Sequence, residues 1–128
     1  MARWALATRT QFIQQKRDVL VRFAMAYLQG VKEFDAAANA PDAHKDILEF
    51  LAKNTFLNKP ALIKAIAPYW SYTNEDGMPP IDSIMHMQDY WADYFHYVEK
   101  KVTRAQLFDL SVAREAKKRL DAEKPFGK

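Results

Sequence analysis

From Thr10 to about Ala37 the apolar residues Leu20, Phe23, Ala24, Tyr27, Val31 and Phe34 recur three or four positions apart. That spacing gathers side chains on one face of an α-helix but scatters them over both faces of a strand. Arg17, Arg22, Gln29, Lys32 and Glu33 fall on the other side, so the run predicts an amphipathic helix with that apolar face inward. Either Thr10 or Asp18 can cap a start, so the run fits one helix or a short helix followed by a long one. Asn39 and Pro41 then disfavour continuation.

The remainder follows the same logic. Residues 42–54 predict a second helix with Ile47, Leu48, Leu51 and Ala52 inward. "NKPALIKAIAPYW" predicts a short one, with Pro60 in its first turn and Pro68 at its end. "SYTNEDGMPP" is a loop whose turn chemistry is Asp76-Gly77. A fourth helix is expected from about Pro80 to Val98. Thr103 with Gln106 is a capping-box signature for a brief helical turn, and Ser111 caps a last helix carrying Val112, Ala116 and Leu120. "RWALATR", residues 3–9, alternates Trp4, Leu6 and Thr8 with Arg3, Ala5 and Ala7 and predicts a strand. Nothing else in the sequence offers that strand a partner. The expected fold is all-α: five or six packed helices with one N-terminal strand, as a single helical domain over residues 1–128.

Composition narrows the function. At 128 residues the chain is long enough to bury a core without staples, and eight Phe, six Tyr and three Trp can fill it. Cysteine is absent, which removes disulfides, thiolate metal sites and Cys nucleophiles. Net charge is +3, with 19 basic residues interleaved among 16 acidic ones, so the dense single-signed stripe of a nucleic-acid binder is missing. The apolar patch of "MARWALATRTQFIQQKRD" is too short for a signal peptide, and nothing later approaches a membrane span. As written, the chain is expected to remain cytoplasmic.

The fourth helix carries the richest chemistry. At 100° per residue, Ile81, Ile84, Gln88, Trp91, Phe95 and Val98 form one stripe, expected to face the core. Opposite them His86, Asp89, Asp93 and His96 are the candidate metal ligands. Ligands along one helix face point roughly in parallel, and no second helix offers a complementary set, so we read that face as solvated and expect no metal. Tyr90, Tyr94, Tyr97 and Met87 widen the apolar arc. They either pack between neighbours, which we take as the expectation, or form an exposed aromatic surface for a partner.

No catalytic motif emerges. Gly30, Gly77 and Gly127 cannot build a phosphate-binding loop, and Ser71, Ser83 and Ser111 lie outside any nucleophile elbow. The expectation is a protein that is not an enzyme and carries no cofactor.

Two segments resemble one family. "RDVLVRFAMAYLQGVKEF", through Phe23, Ala26, Tyr27, Gly30 and Val31, is similar to a helix of the periplasmic solute-binding proteins of ABC importers. The group concerned handles nitrate, taurine and other sulfonates, and thiamine-pyrimidine precursors. "DGMPPIDSIMHMQDYW" leading to "VTRAQLFDLSVAREA" matches through Asp76-Gly77, Gln88-Asp89, Val102, Leu107 and Asp109-Leu110-Ser111. Thr103 stands where the family often has Asp, and "QQKRD" replaces its usual proline. The resemblance implies the helical C-terminal third of a two-lobed α/β binding protein, a truncated or partial chain. Its parent would be periplasmic, bind a small organic solute and meet an ABC permease. "RWALATR" would then be the last strand of an upstream sheet, with Trp4 and Arg9 as candidate solute contacts; alternatively Trp4 is buried and Arg9 solvated. Gly30 would mark the close approach of a neighbouring element, since glycine otherwise costs a helix about 1 kcal/mol. The alternative function is a freestanding helical interaction module, forming a homo-oligomer through exposed apolar surface.

Overall fold

In a computed structural model the described residues, 7–69 and 76–125, are all-helical and contain no β-strand. Their seven α-helices are α1 (Thr10–Gln15), α2 (Arg17–Asn39), α3 (Lys45–Asn54), α4 (Pro60–Ile66), α5 (Ile81–Asp93), α6 (Arg104–Leu107) and α7 (Ser111–Glu123). Of the strand expected at residues 3–9, Ala7 to Arg9 are irregular; Trp4 and its neighbours lie outside the described residues. The chain forms two compact units, one of Met1–Met25 with Asp76–Lys128 and one of Ala26–Glu75.

In the first unit, Lys16 leaves helical geometry at φ −130°, ψ 35°, and its N–H closes α1 on the Phe12 carbonyl. α2 restarts at once, with Asp18 in its first turn, where a carboxylate opposes the positive end of the helix dipole. Arg17 reaches α7, donating from Nε and Nη2 to one Glu115 oxygen at 2.9 and 2.7 Å and from Nη1 to Ser111 Oγ at 3.1 Å. Arg119 of α7 answers with a 3.2 Å bond to Asp18. Val21, Met25, Ala116 and Leu120 are the buried apolar residues of these segments. Ser111 was expected to cap α7, but it is the first helical residue. Asp109 Oδ1 instead accepts its N–H at 2.9 Å, an Asx turn, while the hydroxyl oxygen accepts from Arg17. Bonds from the Ser111 hydroxyl and then its N–H hold the Asp109 carboxyl below the usual carboxylate range.

The buried stripe of α2 differs from the expected one. Val31 is buried as expected, but Val21, Met25 and Leu28 are buried where Phe23, 57% exposed, and Tyr27, also exposed, were expected. Over residues 20–28 the buried repeat is offset by one residue, about 100°, from the expected one.

In the second unit, Asn39 ends α2 with a bond from Nδ2 to the Asp35 carbonyl, and Pro41 begins a turn that delays α3 to Lys45. Leu48 and Ala52 of α3 pack with Ile63 of α4, with Leu51 and Leu57 against them. Pro60 occupies the first turn of α4 as expected. Pro68 has no N–H to extend the ladder, and the helix tightens into a 3₁₀ turn over Ala67–Tyr69. Lys64 of α4 pairs with Asp42 at 2.5 Å, and the bond and the charge of Lys64 lower the Asp42 pKa.

Candidate functional site

α5 ends earlier than its sequence suggests. No proline or glycine interrupts "YWADYFHYV", yet the helix stops at Asp93. Its last carbonyls are closed by a wide turn: Tyr94 N–H and Phe95 N–H bond Tyr90 O at 3.0 and 3.4 Å, and Tyr97 N–H bonds Trp91 O at 2.9 Å. His96, at φ 56°, turns the chain through the left-handed region, which costs an L-residue roughly 1–2 kcal/mol.

Four side chains, Lys101, Asp89, Asp93 and Gln88, hold that turn. Lys101 Nζ donates to Asp93 at 2.6 Å and to Asp89 at 3.0 Å, placing a cation near the negative end of α5. The bond to Asp93, then that to Asp89, raises the Lys101 pKa above its ordinary value. One residue on, the Gln88 amide clasps the backbone of Val102, donating to its carbonyl at 3.0 Å and accepting its N–H at 2.9 Å. Thr103 and Gln106 then form the expected reciprocal capping box at the start of α6. Arg104 pairs with Asp82 back on α5.

Residues 94–101 are thus a loop anchored at both ends, and what it displays is aromatic. Tyr90 and Tyr94 stack at 5.3 Å and 8°, Phe95 meets each of them edge-on, and Tyr97 stacks on Phe95 at 5.3 Å and 12°. Tyr94 and Tyr97 remain 70% and 77% exposed, and Trp91 and Phe95 are also exposed. The expected core stripe therefore fails at its C-terminal half: Ile81, Ile84 and Gln88 are half-buried, Trp91 faces water, and Phe95 and Val98 are not on the helix.

The candidate metal ligands are dispersed by the same geometry. His86, Asp89 and Asp93 are exposed on α5, both carboxylates are engaged by Lys101, and His96 has left the helix. Among the described residues no three His, Asp or Glu side chains are grouped to hold a metal ion. Arg9 is exposed at the start of α1, its carbonyl accepting from Phe12 and Ile13; Trp4 lies outside the described residues. Gln88, a member of the expected core stripe, and Lys101 are the site residues whose roles sequence periodicity missed. Their signals were faint: a lone amide in an apolar stripe, and a lysine following two acids one turn apart.

A second surface lies in the other unit. Tyr27, Gly30, Val31 and Phe34 line an open groove of about 320 Å³ on α2. Among the described residues a Cβ added at Gly30 would meet nothing within 4 Å, so none of them is the close neighbour expected there. No helix among the described residues is long and apolar enough to cross a membrane. No protein-family model, curated protein or solved structure matches the chain.

Proposed function

We propose that the chain is the helical C-terminal part of a solute-binding protein of an ABC importer, of the nitrate, sulfonate and thiamine-pyrimidine-precursor type. Such a protein binds a small organic solute outside the membrane, presents it to a permease and catalyses no reaction. The observation that carries this reading is the groove on α2. Tyr27, Gly30 and Val31, three residues on which the family resemblance rests, line a surface with an open glycine at its centre. A helix retains such a glycine at a cost of about 1 kcal/mol when another element is to pack closely there, and in the parent that element would be the upstream sheet. The Gln88–Val102 clasp adds support, since it ties together the two halves of the second resembling segment.

The test compares this chain with the longer polypeptide encoded by extending the reading frame upstream of Met1. Each is melted with and without nitrate, taurine, other sulfonates and pyrimidine precursors. The longer form is expected to melt higher with one of these solutes, by the linkage between binding and stability, and this chain to show little shift. An upstream region holding a promoter and ribosome site in place of βαβ-like coding sequence overturns the proposal.

A further inference from the structure

The aromatic loop after α5 has a use that does not depend on the solute-binding reading. We infer that it is a self-association surface, on which a second copy of this chain docks around a two-fold axis.

The patch is contiguous. Tyr90, Tyr94, Phe95 and Tyr97 touch through four ring–ring contacts at 5.1–5.3 Å, and all four are exposed. At about 200 Å² per aromatic side chain, their exposed fractions leave roughly 500 Å² of ring surface in water. That is near the top of the range for the largest apolar patch on a soluble monomer. Doubled across a two-fold axis it gives at most about 1,000 Å², the lower bound for a specific interface and the size class of weak, reversible ones. Tyrosine is also, with Trp and Arg, among the residues enriched at the anchors of such interfaces.

The patch is preorganised. Lys101 on Asp89 and Asp93, Gln88 on Val102, and the Tyr97–Trp91 backbone bond fix the loop before any partner arrives. Binding therefore costs little backbone ordering. His96, at φ 56°, lies between these anchors in left-handed geometry.

Charge favours a second copy over a strongly acidic or basic partner. The two carboxylates beside the rings are already neutralised by Lys101. The next residues, Glu99 and Lys100, are both exposed and opposite in sign. Neighbouring charges of opposite sign leave that stretch neutral, so a second copy brought against it meets no net like charge.

Sedimentation of the whole chain up to about 1 mM, in the range where even weak specific contacts populate, measures the association. A monomer–dimer equilibrium is expected. Tyr94→Ser and Tyr97→Ser should each weaken it at least tenfold with an unchanged helical circular dichroism spectrum. Phe56→Ser and Tyr69→Ser, which remove exposed rings from the other unit, should leave it unchanged. Glu99→Lys should weaken the dimer, and adding Lys100→Glu should restore it. A chain that stays monomeric to 1 mM, or a dimer indifferent to Tyr94→Ser and Tyr97→Ser, overturns the inference.

Discussion

At the scale of single residues, the informative positions are those where a side chain replaces a missing backbone partner. Gln88 satisfies both polar groups of Val102, and each such bond contributes about 1 kcal/mol net. Gln88→Ala is expected to lower unfolding free energy by roughly 1–3 kcal/mol, measured by urea titration, because it also leaves half-buried backbone groups unpaired. Lys101 titrates above its ordinary value, so its clasp is fully present below the ordinary lysine range and is lost as pH rises through the raised value. Amide exchange over residues 94–101, corrected for the intrinsic rate, should accelerate only at that alkaline end. Asp42 and Asp109 run the other way: their contribution is present above the usual carboxylate range and disappears as pH falls through their lowered values. Asp42→Asn and Asp109→Asn should therefore each flatten the acid limb of a stability–pH curve. Gly30 has open space, and Gly30→Ala is expected to stabilise this chain by about 0.5–1 kcal/mol. The proposed function requires the opposite in its longer polypeptide, where the element proposed to cover the groove would meet the new methyl group and the same change would destabilise.

At the scale of elements, periodicity located the helices and proline located several of their ends. Pro60 and Pro68 bracket α4 because a missing N–H acts locally, whatever the rest of the chain does. The phase of α2 was not legible. Leu20, Phe23, Ala24 and Tyr27 form one apolar repeat, and Val21, Met25 and Leu28 form another a residue away. Only tertiary packing selects between them. The end of α5 was hidden for a related reason. "YFHYV" carries no local stop signal, and the turn is held by Lys101 and Val102, which close back on α5 from beyond it. Hence four candidate ligands on one ideal helix became three on α5 and one in a turn, and half of an expected core stripe became the exposed aromatic loop. Core packing in the second unit was legible, since Leu48 and Ala52 lie inward as expected. Ile63 is 2% exposed there, and Ile63→Ala should cost about 2–5 kcal/mol in thermal or urea unfolding.

At the scale of the whole molecule, the surface remains rich in rings. Phe23, Phe50, Phe56, Tyr69, Tyr94 and Tyr97 are all exposed, in both units. Isolated apolar residues on a surface are ordinary, whereas the rings after α5 touch one another and the groove on α2 is lined by Tyr27, Gly30, Val31 and Phe34. The two surfaces make separable demands: one is tested by the mass of the particle in solution, the other by extending the chain. Lys101 has a last consequence, for the cleavage map of the native protein. Trypsin must draw a lysine side chain into its specificity pocket, and Lys101 is held by two carboxylates while the backbone beyond it is held by Gln88. Limited digestion should therefore sever the chain after Lys100 before it cuts after Lys101, and mass spectrometry of the first fragments would read the difference.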